Sequence, residues 1–211
     1  MSIEGLLGRK LGTLQLFDEE GQLHGATAVE VGPCYVTQIR TPEKDGYSAV
    51  QLGFGTAKRQ TRGMEGHLKA GGQPQLRHLG EFKADDTNEF EVGQAVGSDL
   101  FETGDLVHVT GTSKGRGFQG GVKRHGFRGG PRTHGQSDRH RAPGSIGAGT
   151  TPGRVLKGTR MSGHMGARRS TVRNLVVLGR NDEKSVIFVG GSVPGPRGGL
   201  VRVRVARRAA K

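Results

Sequence analysis

The chain has 211 residues, of which 39 are glycine and 32% are hydrophobic, so we expect one domain or two small ones with a modest core. Its 32 Lys and Arg outnumber its 19 Asp and Glu, and the formal net charge of +13 is typical of proteins that bind polyanions. No apolar run approaches the roughly 18 residues of a membrane span, and Glu4, Arg9 and Lys10 interrupt any signal-like stretch, so we expect a soluble, unsecreted protein.

Short runs rich in β-branched and aromatic residues predict strands in the first half of the chain, separated by turn sequences at 18–21 and 42–46. The predicted strands are residues 11–17, 26–31, 35–40, 47–54, 90–96 and 106–110. Between them, residues 61–70 are the best helical candidate, although Gly63 and Gly66 each weaken a helix by roughly 1 kcal/mol relative to alanine.

Residues 114–173 carry the positive charge of the chain. They hold 14 Lys and Arg against the single acid Asp138, whereas residues 1–113 hold 10 against 16 acids and residues 174–211 hold 8 against 2. The segment also contains 15 glycines and only nine large apolar residues, about 15% of its length, which is too few to close a core of its own.

The strand pattern returns after this segment, at residues 174–178, 186–189 and 200–205. In the last strand apolar and cationic residues alternate: Leu200, Val201, Arg202, Val203, Arg204 and Val205. Because successive side chains of a strand point to opposite faces, this alternation predicts an inward side of valine and an outward side that is cationic.

We therefore predict a mainly β protein whose body is built from residues 1–113 and 174–211. Its many short strands suggest a closed barrel or a sandwich. A small insert of helix and loop occupies about residues 58–95, and residues 114–173 form a long, extended, glycine-rich basic arm that leaves the body and returns to it.

Two short motifs resemble enzyme signatures. Residues 115–120 match G-x-G-x-x-G, and residues 111–115 match G-x-S-x-G, with Asp138 and His140 following in hydrolase order. Both signatures need a helix directly after the motif, and the five glycines and one proline at the six positions 120, 121, 126 and 129–131 oppose that helix. We predict no catalytic residue and no cofactor.

Four histidines of the segment invite a metal interpretation: His125, His134, His140 and His164. Their spacing follows no structural-zinc pattern, and the surrounding cations disfavour a divalent ion. Hydrogen bonding to phosphate or ribose, or simple solvation, are the alternatives, so we predict no metal. Cys34, the only cysteine, excludes an internal disulfide and fits a reducing cytosol.

An extended, cationic and glycine-rich chain can thread between phosphates, because glycine permits close backbone approach and arginine matches phosphate oxygens with a planar fork. Sixty residues that go out and return reach up to about 100 Å, more than a DNA groove requires, which favours the interior of a large folded RNA. A solvated flexible tail is the plain alternative, and the interior position of the segment opposes it. The predicted RNA-binding residues are Lys114, Arg116, Lys123, Arg124, His125, Arg128, Arg132, His134, Arg139, His140, Arg141, Arg154, Lys157, Arg160, His164, Arg168, Arg169 and Arg173.

The chain resembles the bacterial form of the ribosomal protein L3 family over essentially its whole length. The strongest motif is VTGTSKGRGFQG at residues 109–120. Further matching motifs are GRKLG at 8–12, VKRH at 122–125, GGP at 129–131, Ser137, HR at 140–141, PGSIG at 143–147, TPGRV at 151–155, KG at 157–158, MSGHMG at 161–166 and GGSVPG at 190–195.

The resemblance implies a translation-protein-type β-barrel and a long extension that enters the rRNA of the large ribosomal subunit in the cytoplasm. It implies binding near the 3′ end of 23S rRNA, an early role in assembly, and ribosomal proteins L14 and L19 as neighbours, without enzymatic activity, small-molecule substrate or membrane partner. The tip that approaches the peptidyl-transferase centre corresponds to Ser145, Ile146, Gly147, Ala148, Gly149, Thr150, Thr151 and Pro152.

One departure from the family pattern lies within this tip. Some bacterial members carry an N5-methylated glutamine before Thr-Pro-Gly, whereas this chain has Thr150, so methylation is not expected. Two rival functions remain open. A sequence-specific DNA binder would prefer duplex DNA over folded rRNA, and an RNA-modifying or hydrolytic enzyme would depend on Ser113 or on the histidines.

Overall fold

The computed structural model describes residues 3–18, 20–73 and 75–206. These residues form strands β1 Gly5–Phe17, β2 Leu23–Val31, β3 Cys34–Arg40, β4 Ala49–Thr56, β5 Leu76–Lys83, β6 Ala95–Val96, β7 Leu106–Thr112, β8 Phe118–Gln119, β9 Gly163–His164, β10 Arg169–Asn181, β11 Val186–Gly190 and β12 Leu200–Val205. The helices are α1 Pro42–Asp45, α2 Arg62–Leu68 and α3 Gly121–His125, with 3-10 turns at Lys69–Gly71 and Ser98–Leu100. The prediction of a mainly β protein is confirmed.

The predicted helix at 61–70 is present as α2 and the 3-10 turn that follows it. Thr61 caps it, because its hydroxyl accepts a hydrogen bond from the backbone N–H of Met64 at 3.5 Å. In the part of the chain that the structure describes, no helix is long and apolar enough to cross a membrane. The two ends of the predicted body, residues 1–2 and 207–211, and Glu19 of the predicted turn lie outside the described residues.

The chain folds into two compact units. The first comprises the described residues up to Ser113 together with those from Arg169 onward, and the second is Lys114–Arg168. The predicted arm and the second unit begin at the same residue, whereas residues 169–173 belong to strand β10 of the first unit.

Six strands of the first unit pair in a closed cycle of antiparallel neighbours, in the order β1, β12, β7, β10, β11 and β2, with β2 pairing back to β1. The inward side of this closed sheet is built from β-branched residues, as the alternation in the last strand predicts: Val201 and Val203 are buried. They belong to one hydrophobic cluster with buried valines of other strands of the closed sheet, among them Val109, Val177 and Val189.

A second sheet of four strands, in the order β5, β4, β3 and β6, packs against the closed sheet and shares its hydrophobic core. Strand β5 falls within the region predicted as helix and loop, and that prediction is wrong there. Charged residues and Gly80 obscure its alternation. Glycine at position 80 leaves space for the Leu7 side chain where the two sheets meet, because an added Cβ would lie 3.2 Å from Cδ2 of Leu7.

The outward side of β12 is not the open cationic surface that its alternation predicts. The Arg202 guanidinium lies 4.7 Å from the ring centroid of Phe82 and donates a hydrogen bond to the Glu81 carbonyl, both in β5. Burial, followed by the charges of Arg169 and Arg204, lowers the pKa of Arg202. Sequence periodicity cannot show that another sheet covers this face.

Cys34 lies in the shared core, fully buried, and its thiol donates a hydrogen bond to the Leu7 carbonyl at 3.3 Å. Burial raises the pKa of the Cys34 thiol to about 12. Because the thiolate is the reactive form, this cysteine packs as a small apolar side chain and is inert in the folded protein.

Candidate nucleic-acid interface

The second unit, Lys114–Arg168, is described throughout and has almost no core. Gly121 is its only buried residue, and every residue from 143 to 162 is exposed. Side chains with large apolar area stand in solvent, including Phe118 at 74% and Leu156 at 64% exposed. A segment that buries so little apolar surface gains little stability from its own packing, so its surface is available to a partner.

A short antiparallel ladder holds the two ends of this unit together. Strands β8 and β9 pair through Phe118 and His164. Beside them, the Arg116 N–H donates to the Met165 carbonyl, and the Met165 N–H donates to the Gly117 carbonyl, each at 2.9 Å. Residues near the start of the unit, 116–119, are therefore paired with residues near its end, 163–165. We call this pairing the base of the unit.

A second clasp follows the ladder, at helix α3. Arg124 donates through Nη1 to the Met161 carbonyl at 2.7 Å, and His125 donates through Nε2 to the same oxygen at 2.9 Å. Both residues are predicted to bind RNA, and in the structure both hold the returning chain. Of the twelve Lys and Arg in the unit, Arg124 alone is half-buried.

Helix α3 also corrects the expectation that no helix follows the G-x-G-x-x-G motif. One turn forms at Gly121–His125 because Gly126, at φ 73°, ends it, and because Gly121 lets the Phe127 ring approach. A Cβ on Gly121 would lie 2.7 Å from Cδ2 of Phe127. A helix this short offers no aligned N-terminus for a pyrophosphate, and Phe118–Gln119 of the motif lies in β8.

Eleven cations of the unit are exposed: Lys114, Arg116, Lys123, Arg128, Arg132, Arg139, Arg141, Arg154, Lys157, Arg160 and Arg168. The single acid, Asp138, places Oδ2 3.9 Å from Nε of Arg139, and both side chains are more than 70% exposed. An ion pair so exposed is weak, so the unit keeps a strong positive field.

The other residues predicted to bind RNA are spread over β10 of the first unit and over loops and β9 of the second unit. Arg169 and Arg173 are exposed on β10 of the first unit. His134 and His140 are exposed in loops, and His164 lies in β9. Among the described residues, no three His, Cys, Asp or Glu side chains come close enough to hold a metal ion.

Counting charge over the whole first half of the chain conceals a second cationic segment, residues 58–77. Five exposed cations follow one another around α2 and into β5, with Glu65 as the only acid among them: Lys58, Arg59, Arg62, Lys69 and Arg77. A charge count over a window of about 20 residues would have detected this segment, because the acids that offset its charge in the total lie elsewhere in the chain.

Beside the β8–β9 ladder, the backbone leaves no room for a side chain at Gly166. Its φ is +76°, and an added Cβ would overlap the Lys114 carbonyl. We expect Gly166→Ala to destabilise the base by about 1–2 kcal/mol and to raise the rate of tryptic cleavage within 114–168 by about 5- to 30-fold.

The matched control is Gly149→Ala in the same unit, where an added Cβ has no neighbour within 4 Å and φ is not positive. Time courses of both variants, resolved by mass spectrometry, measure the difference. Equal cleavage rates within 114–168 would show that the ladder does not hold the unit together.

Comparison with known proteins gives a consistent result. The profile of the family described as Ribosomal protein L3 matches residues 47–185. The large ribosomal subunit protein uL3 of Roseiflexus sp. (strain RS-1) is 59% identical over 97% of this chain and 98% of its own. The uL3 protein of Thermomicrobium roseum is 59% identical over 97% of this chain and 95% of its own. The uL3 protein of Cutibacterium acnes is 50% identical over 100% of this chain and 96% of its own.

Proposed function

The chain belongs to the ribosomal protein L3 family, and we propose that it is a structural constituent of the large ribosomal subunit that binds large-subunit rRNA chiefly through Lys114–Arg168. The family is one of ribosomal proteins rather than enzymes. The proposal therefore assigns no catalytic role to Ser113, to the glycine motifs or to the histidines.

The observation that carries the proposal is the second unit itself, with twelve Lys and Arg, one acid and one buried residue. Such a surface repels itself unless a polyanion neutralises it. Each lysine or arginine that meets a phosphate releases condensed counterions, and the gain is sequence-independent. Folded rRNA supplies phosphates on several sides, which suits a unit that is exposed over most of its length.

The finer features follow from the family resemblance. We infer that the closed sheet is the translation-protein-type β-barrel, that residues 114–168, which end where strand β10 begins, act as the extended arm, and that the protein binds near the 3′ end of 23S rRNA during early assembly. Residues 145–152, all exposed, then form the tip that approaches the peptidyl-transferase centre. Ribosomal proteins L14 and L19 are the proposed neighbours, and the cytoplasm is the proposed compartment.

Site-specific photo-crosslinking tests this proposal. Benzoylphenylalanine replaces Ile146, which is 49% exposed at the tip, or Val92, which is 44% exposed in the first unit, and each chain is assembled into ribosomes in cells. We expect both variants in purified large subunits and rRNA crosslinks from position 146, near the peptidyl-transferase centre, but not from position 92. Absence of the chain from large subunits, or preferential recovery with duplex DNA, would overturn the proposal.

A further inference from the structure

An apolar pair stands exposed where β1 turns into β2, on the first unit. Phe17 and Leu23 are opposite partners in the ladder, so their side chains lie on the same face, and they are 72% and 52% exposed. An exposed pair of large apolar side chains on one face indicates a contact surface more strongly than a single exposed residue does.

The hairpin that carries this pair has charge of the opposite sign to that of the second unit. No lysine or arginine occurs between Lys10 and Arg40, although the chain contains 32 of them. The turn carries Asp18 and Glu20, both exposed. In a protein with a net charge of +13 this surface would repel phosphate and attract a cationic partner.

The acidic turn is ordered by its own carboxylate. Oδ1 of Asp18 accepts hydrogen bonds from the backbone N–H of Glu20 at 3.0 Å and of Gln22 at 2.7 Å, while Oδ2 lies 2.8 Å from Nε2 of His24. These contacts, first that with His24 and then that with Gln22, hold the pKa of Asp18 below its usual value. The apolar pair is therefore presented on a preorganised support.

We propose that the end of the β1–β2 hairpin, Phe17, Asp18 and residues 20–24, is a docking surface for a lysine- or arginine-rich segment of another large-subunit protein. The segment's apolar side chains cover Phe17 and Leu23, and its cations meet Asp18 and Glu20. The inference rests on the proposed function, because it takes the large subunit as the place where the partner is met. It divides the molecule into a basic unit that faces rRNA and an acidic hairpin end that faces protein.

Photo-crosslinking in purified large subunits tests the inference with benzoylphenylalanine at position 17. The matched position is Leu156, 64% exposed within the basic unit. We expect position 17 to crosslink to a Lys- or Arg-rich peptide of one ribosomal protein, and position 156 to crosslink to rRNA. Adding Glu20→Lys to the position 17 chain should lower the protein crosslink about tenfold, because it reverses a charge that the partner's cations meet.

Crosslinks from position 17 to rRNA alone, to an acidic peptide, or to nothing at all would overturn the inference, and so would a protein crosslink unchanged by Glu20→Lys. In each of those cases the chain is present in the subunit, so the proposed function stands. Absence of the chain from large subunits would overturn both.

Discussion

Replacement of Lys114–Arg168 by Asn-Gly is expected to leave the first unit folded and to weaken binding to large-subunit rRNA by about 100-fold or more near physiological salt. The splice is feasible because Thr112 and Arg169 are opposite partners in the β7–β10 ladder, so Ser113 and the two new residues close a three-residue hairpin. The deletion removes twelve of the chain's 32 Lys and Arg and one of its 19 acids.

Binding measured across a salt series separates this loss from a general loss of structure. Each phosphate contact contributes about 0.7–0.9 to the slope of log affinity against log salt, so the shortened chain should show a distinctly shallower slope. Circular dichroism and thermal unfolding check that the first unit remains folded. Unchanged affinity and slope with a folded first unit would show that the rRNA contacts lie elsewhere.

A second variant keeps the test decisive if the splice disturbs folding. Arg132, Arg139, Arg141 and Arg154 are exposed, and their side chains have no part in the ladder or the Met161 clasp. Changing all four to glutamine preserves length and polarity and is expected to lower the salt slope by about 3. A slope equal to that of the native chain would contradict the assignment of these residues to phosphate.

Sequence reasoning succeeded where a local pattern decides the structure. The alternation in 200–205 predicted the inward valines, and the helical candidate at 61–70 was correct because Thr61 supplies a cap. It failed at β5, where Gly80 reads as a strand breaker but serves a close contact between two sheets. It also failed for Arg202, because which face of a strand is covered depends on a sheet distant in sequence.

In the candidate interface, too, local features could be predicted from the sequence and contacts between distant residues could not. Its charge, its glycine content and its lack of a core follow directly from composition. What composition cannot distinguish is a cation that is free for a phosphate from one occupied within the chain. Arg124 and His125 both donate to the Met161 carbonyl, which is 37 and 36 residues away in sequence. No local sequence pattern predicts such a contact.

The largest effect on stability is expected from Phe82→Ala. Phe82 is 1% exposed between the two sheets of the first unit, and Arg202 lies over its ring. Truncation removes a large side chain from a close-packed interior and leaves a cavity there, because the surrounding core relaxes only in part. We expect the free energy of unfolding to fall by about 3–5 kcal/mol, measured by urea unfolding followed by circular dichroism.

The control is Phe17→Ala, which removes the same atoms from a site that is 72% exposed and should change the free energy of unfolding by less than about 0.5 kcal/mol. Arg202→Met separates the ring contact from the cavity, because it keeps an apolar stem over Phe82 and eliminates a buried Nε that has no hydrogen-bond partner among the described residues. Arg202→Met should lower the free energy of unfolding by about 1 kcal/mol or less. Equal losses from Phe82→Ala and Phe17→Ala would contradict the packing of β5 on the closed sheet, because that packing alone makes the two phenylalanines differ.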